Sequence, residues 1–218
     1  MRRAVAAVVF GCASVLLSYP GDGFTDDLAA VTDALDRLPK GPTRDRLERA
    51  TAWLGELAPM AAATGYVETF DLRRRRSLHL TYYRHGDTRE RGMALTALVD
   101  AYRAAGLCVA PGELPDFLPA LLELAAVTSA GAAVLCEHRA ALEALRADLE
   151  QAKSPYVEVV RAVVDALGGL TRADRSALAR YRAQGPPSER VGLEPFAPPE
   201  VIAQGVTSQG VTMGATRR

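Results

Sequence analysis

Apolar residues recur at intervals of three and four along most of this chain of 218 residues, and no segment alternates with a period of two for long. The first spacing places apolar side chains on one face of an α-helix, whereas a half-buried strand requires the second. Alanine is abundant, which favours helix because alanine loses no side-chain entropy there. The sequence therefore predicts an all-α protein, a single bundle domain of about eight helices over residues 1–184.

Prolines and polar capping residues divide the chain into candidate helices. A helix near Thr25 is expected to end at Pro39, and the next, from Thr43, to end or kink near Ala58 because Pro59 follows. Later helices are predicted over residues 86–106, 118–127, 132–151 and 155–167, with a short last one after residue 171.

The last part of the chain has a different composition. Residues 185–218 contain five of the 13 prolines and many glycines, with no helical period. Such a segment buries too little apolar area to offset chain entropy, so we predict a disordered tail. A short docking segment around Phe196 is the alternative to an inert linker.

The amino terminus allows two interpretations. Arg2 and Arg3 precede a short apolar run that ends near a small-residue site, which is typical of a secretory signal. Alternatively, Val5, Cys12 and Tyr19 lie on the apolar face of a first core helix that Pro20 ends. The uncharged run is too short to span a membrane.

Composition and motifs argue against several classes of function. The 26 basic and 26 acidic side chains cancel, so the broad positive field of a nucleic-acid binder is missing. The phosphate-loop, dinucleotide, zinc-protease and esterase motifs are absent. We therefore expect no catalytic residues and no bound cofactor.

The cysteines and histidines indicate neither a disulfide framework nor a metal site. Three widely spaced cysteines without a CxxC pair suggest a reducing compartment. The histidines, His79, His85 and His138, are too scattered for recognisable metal ligands. The arginine run at residues 73–76 either clamps an acidic partner or lines a solvated turn.

Two prolines four residues apart interrupt the most informative stretch. A continuous helix would lack the Pro119 amide and press its ring against the Pro115 carbonyl, so the chain must break there. The break leaves Glu113 and Asp116 beside the next helix, where they cap its amides or stay free to meet a cation on a partner.

Three blocks resemble the NarJ-type assembly chaperones of respiratory nitrate reductase, a family related to the TorD-like chaperones. They are LLSYP at residues 16–20, YVETFDLRRRRSLHLTYYRHGDTRERGMAL at 66–95 and GELPDFLPALLELA at 112–125. The resemblance implies a non-catalytic, cytoplasmic helical protein. We also expect a monomer or weak dimer without bound nucleic acid, metal or cofactor and without stable membrane insertion. The resemblance also implies binding of the amino-terminal tail of the apo nitrate reductase catalytic (alpha) subunit, held for molybdenum cofactor insertion and complex assembly.

The same resemblance supplies candidate peptide-binding residues and favours the helical interpretation of the amino terminus. These residues are Tyr66, Phe70, Asp71, Arg91, Gly92, Glu113, Leu114, Pro115, Asp116, Leu118 and Pro119. One departure is Phe117, since many relatives have histidine there. Two other functions stay open: a helical regulatory or scaffolding module that binds another protein or an anionic partner, and a small hydrolase-type enzyme using His79 or His85 with Asp71.

Overall fold

The computed structural model describes residues 2–187, which belong to one compact unit. Within them lie eleven α-helices and, after α4, a π-helical turn, Val67–Asp71, and a 3-10 turn, Arg74–Arg76. The helices are α1 Arg2–Leu17, α2 Phe24–Leu35, α3 Pro42–Gly55, α4 Pro59–Tyr66, α5 Leu80–His85, α6 Arg89–Ala104, α7 Leu118–Val127, α8 Ser129–Glu137, α9 Arg139–Gln151, α10 Val157–Leu167 and α11 Arg172–Gln184. The predicted all-α class is confirmed. The predicted tail lies outside the described residues, apart from 185–187.

The first helix lies in the middle of the core. α1 packs against α2, α3, α7 and α10. Phe10, Ala13 and Leu17 are almost completely buried. The amino-terminal residues thus form a core helix, as the helical interpretation predicts. Tyr19 differs from the expectation, because it follows the end of α1 and is 56% exposed.

Prolines set several helix boundaries as the sequence predicts. Ala58 is extended and α4 begins at Pro59, whose missing amide costs nothing in the first turn. α7 begins at Leu118 with Pro119 in its first turn, after an extended Phe117. The break predicted from Pro115 and Pro119 is therefore present.

One predicted helix is divided in two. Residues 132–151 were expected to form a continuous helix, but the chain turns at His138 between α8 and α9. Two packing contacts favour the break. Gly131 of α8 lies against the backbone of Ala125 in α7, and the Arg139 guanidinium, at the start of α9, donates to the carbonyl oxygen of Val164 at 2.6 Å.

No helix among residues 2–187 is both long enough and apolar enough to cross a bilayer.

Candidate functional site

The start of the sequence block at residues 66–95 folds into an aromatic wall. α4 leads directly into the π-helical turn, which brings Tyr66 and Phe70 together with ring centroids 5.0 Å apart. The Tyr66 hydroxyl donates to the carbonyl oxygen of Leu17 at 3.2 Å, which ties this turn to the end of α1. Tyr156 packs against Phe70 from behind, at 4.8 Å between centroids. The two rings are thereby held in place by α1 and by the residues preceding α10.

A short antiparallel bridge joins the block at residues 66–95 to the block at 112–125. The Leu80 amide donates to the Asp116 carbonyl at 3.0 Å, and the Leu118 amide donates to the Leu78 carbonyl at 2.8 Å. His79 therefore lies opposite Phe117, with ring centroids 5.6 Å apart. Among the described residues this is an isolated bridge outside any strand, and it gives the loop before α7 a fixed place.

The Asp116 carboxylate is completely buried beneath this bridge. It accepts a short hydrogen bond from the Thr81 hydroxyl and another from His79 Nδ1 at 3.0 Å. Arg91, from α6, approaches the same carboxylate at 3.4 Å. Burial alone would raise the pKa of Asp116, but hydrogen bonds from His79 and Thr81, with the charges of His79 and Arg91, hold the pKa below its ordinary value. Asp116 thus stays charged and joins three segments of the chain.

A cavity of about 400 Å³ opens in front of these groups. Its wall combines aromatic rings, two arginines and two carboxylates, with His79 and Ser77 between them. The lining residues are Tyr66, Phe70, Asp71, Arg74, Ser77, Leu78, His79, Tyr82, Asp87, Arg91 and Phe117. Such a mixture suits a ligand with both an apolar face and polar or charged groups.

The predicted site residues fall into three groups in the structure. Tyr66, Phe70, Asp71 and Arg91 line the cavity. Pro115, Asp116, Leu118 and Pro119 are buried and support the wall from behind. Gly92, Glu113 and Leu114 are exposed outside the cavity.

The placement of Asp116 decides between the two interpretations of the carboxylates near the proline pair. Asp116 neither caps α7, whose amides receive no side-chain cap, nor reaches solvent. Of these two carboxylates, only Glu113 is exposed and can meet a cation on a partner.

Sequence reasoning missed several residues of the wall. His79 was considered only as a metal ligand or an acid–base group, and Thr81, Tyr82 and Asp87 were not considered as part of the site. The available signal was the polar residues within the apolar run at residues 77–83. Without the bridge to residues 116–118, nothing in the sequence relates them to Asp116.

Other parts of the described chain are weaker candidates for a functional site. A second cavity of about 530 Å³ lies between α5, α9 and α11 and contains none of the predicted residues. Residues 2–187 hold no group of three or more histidine, cysteine or acidic side chains that could bind a metal ion.

Comparison with known proteins finds relatives whose names refer to nitrate reductase or to its assembly. Mycobacterium tuberculosis H37Rv has a "Nitrate reductase-like protein NarX" that is 43% identical over 161 residues, 72% of this chain but 24% of NarX. The "Probable nitrate reductase molybdenum cofactor assembly chaperone NarJ" of Bacillus subtilis is 30% identical over 165 residues, 75% of this chain and 90% of that protein. The "Nitrate reductase molybdenum cofactor assembly chaperone NarJ" of Escherichia coli K12 is 38% identical over 147 residues, 66% of this chain and 62% of that protein.

The family model described as "Nitrate reductase delta subunit" matches residues 35–162, a range that includes the cavity wall and the buried Asp116. This match covers more than half of the chain and confirms the resemblance seen in the sequence blocks. The chain belongs to the nitrate reductase delta subunit family, together with the NarJ proteins.

Proposed function

We propose that this protein is a cytoplasmic chaperone for the assembly of a molybdenum-containing nitrate reductase. Its client is the apo catalytic (alpha) subunit, whose amino-terminal tail it binds until molybdenum cofactor is inserted. Residues 1–184 form the client-binding domain in this proposal, and residues 185–218 are a tail. Support comes from the names of the Bacillus subtilis and Escherichia coli relatives, the first of which is matched over 90% of its length.

One structural observation supports the proposal most strongly. Residues 66–91 provide all but one of the cavity-lining residues, and the distant block at 112–119 adds Phe117, which the backbone bridge holds in place. The cavity has an aromatic side, Tyr66 and Phe70, and a charged rim that includes Asp71. A short amphipathic segment that folds on docking matches this arrangement, because its apolar face meets the rings and its charges meet the rim.

The binding strength that such a site provides suits temporary holding. Ordering a flexible tail of about fifteen residues costs several kcal/mol, which the gross contacts must exceed. A micromolar complex requires a net binding free energy of roughly 8 kcal/mol. Affinity in this range captures the tail and still allows its release.

Release requires no covalent step by the chaperone. If cofactor insertion completes the folding of the client, the free tail is withdrawn from the binding equilibrium and the complex dissociates. A role in binding alone agrees with the absence of nucleotide-binding and hydrolase motifs from the sequence.

Deleting the gene tests the chaperone role directly. In a strain without this protein or a related one, we expect normal amounts of catalytic subunit with strongly reduced molybdenum content and nitrate reductase activity. Both should return when the gene is restored on a plasmid. A fully active, molybdenum-loaded enzyme in the deletion strain would exclude the proposal.

Binding of the tail requires a separate experiment. The purified chaperone is mixed with apo catalytic subunit, either complete or without its amino-terminal tail, and the complexes are separated by size-exclusion chromatography. We expect a complex only with the complete subunit. Equal binding of both forms would place recognition elsewhere on the client.

A further inference from the structure

Tyr19 extends the aromatic wall of the cavity onto the open surface. It lies just beyond the end of α1, and 56% of the residue is exposed. Tyr66 holds its ring edge-on, with centroids 5.5 Å apart and planes at 89°. Since Tyr66 in turn contacts Phe70, the three rings form one row from the cavity to solvent. The family blocks gave no binding role to Tyr19.

Two carboxylates among the predicted site residues have no partner in the described part of the chain. The side chains of Asp71 and Glu113 are exposed, and within residues 2–187 neither makes a hydrogen bond or an ion pair. Asp71 lies at the end of the same π-helical turn as Phe70 and lines the cavity. Burial, and after it the charges of Asp71 and Glu113, raise the pKa of Tyr66.

The end of α1 adds a partial negative charge next to Tyr19. The carbonyl end of a helix carries a partial negative charge, which a basic side chain usually compensates. α1 has no basic residue in its last turn, and it ends at Leu17, two residues before Tyr19. The exposed Tyr19 ring therefore lies beside the carbonyl end of α1, at the end of an aromatic row that borders the unpaired carboxylate of Asp71 in the cavity.

We propose that a cationic side chain of the client tail lies on Tyr19, with its charge between Asp71 and Glu113. This inference rests on the proposed function and adds the chemistry that the surface recognises. A guanidinium or ammonium group is attracted to an exposed aromatic ring and gains charge-assisted hydrogen bonds from nearby carboxylates. The apolar residues of the tail occupy the neighbouring cavity beside Phe70.

Calorimetric titration with two synthetic peptides tests the inference. One is the fifteen-residue amino terminus of the cognate catalytic subunit, and the other is the same peptide with citrulline for arginine and acetyl-lysine for lysine. We expect the full-length chaperone to bind the first peptide about tenfold more tightly. The difference should largely disappear in Tyr19→Leu and in the double variant Asp71→Asn, Glu113→Gln.

Matched variants distinguish a loss of cation recognition from general effects on folding or surface charge. Tyr19→Phe keeps the ring and should retain the preference for the charged peptide. Asp33→Asn removes an exposed carboxylate from the last turn of α2 and should also retain it. Thermal melts should be the same for all variants, because the substituted side chains are exposed or, in Tyr19→Phe, change by one hydroxyl.

The outcomes distinguish this inference from the proposed function. Equal affinity for both peptides, or a preference that persists in Tyr19→Leu and in the double variant, overturns the cation site while tail binding stands. Failure of the unmodified chaperone to bind either peptide overturns tail binding, and the cation site with it.

Discussion

At the scale of single residues, Asp116 illustrates how burial changes the role of a side chain. Its sequence context, beside two prolines and a helix start, suggests a cap or a free carboxylate. In the structure it is buried and accepts hydrogen bonds from His79 and Thr81 while pairing with Arg91. Its charge therefore stabilises the site. It can affect binding of a client only by holding His79 and Arg91 in position, since these two residues line the cavity.

Replacing Asp116 by asparagine should destabilise the protein, because the amide keeps the shape but removes the charge that Arg91 pairs with. We expect the free energy of unfolding at pH 7 to fall by about 2 kcal/mol, as for a lost charge-assisted hydrogen bond. Urea denaturation followed by circular dichroism measures it. Asp33→Asn, at an exposed carboxylate, serves as the control and should change stability by less than about 0.5 kcal/mol.

The unmodified protein and Asp116→Asn should also differ in how their free energy of unfolding depends on pH. Since the pKa of Asp116 is lowered in the folded state, its contribution is complete above the ordinary value of 3.8 and is lost as the pH falls through the folded value. The stability difference between the unmodified protein and Asp116→Asn should therefore shrink as the pH falls below about 4. A difference that is constant with pH would show that shape, and not charge, is responsible.

At the scale of helices, local sequence signals predicted several boundaries but not the continuity of every helix. Pro59 and Pro119 mark the first turns of α4 and α7, and Thr171 forms a capping box with Asp174 at the start of α11. The division between α8 and α9 was not predicted, because apolar spacing continues through His138 without proline or glycine. The packing of Gly131 and the reach of Arg139 to Val164 favour the turn, and both depend on other helices.

Gly131→Ala tests the close contact between α7 and α8. A methyl group there would collide with the backbone of Ala125 and Leu124, so the two helices must separate. We expect a loss of about 2 kcal/mol in the free energy of unfolding, despite the better helix propensity of alanine. The urea midpoint measures the loss.

Gly65→Ala is the matched control for this contact, because Gly65 also lies in a helix but its added methyl group would meet only open space. It should leave stability unchanged or raise it by up to about 1 kcal/mol. If both variants change the free energy of unfolding by the same amount, helix propensity and not packing between α7 and α8 determines the effect of Gly131→Ala.

At the scale of the whole molecule, the site depends on packing throughout the described unit. The cavity receives side chains from the π-helical turn, α5, α6 and the loop before α7, and the core contact of Tyr156 with Trp53 joins α3 to the same aromatic cluster. A ligand in the cavity touches several of these segments at once. Binding should therefore stabilise the domain as a unit.

A saturating client peptide should raise the stability of the entire domain. At a free concentration one hundred times Kd, we expect the free energy of unfolding to increase by about 2.7 kcal/mol, with one cooperative transition retained. Chemical denaturation at increasing peptide concentrations measures the increase. A scrambled peptide of the same composition is the control. Stabilisation limited to a subset of amides in hydrogen exchange would contradict coupling across the whole unit.

The amino-acid sequence by itself determined the fold class, several helix starts and membership of the family. Those properties follow from apolar spacing, from proline and capping chemistry, and from contiguous blocks, all of which act over a few residues. Four cavity-lining residues were also named in advance: Tyr66, Phe70, Asp71 and Arg91. Only the tertiary structure decided that Asp116 is buried, that His79 faces Phe117 and that Tyr19 reaches solvent. Each of these outcomes depends on segments that are distant in sequence and are brought together by the packing of the core, which no local pattern encodes.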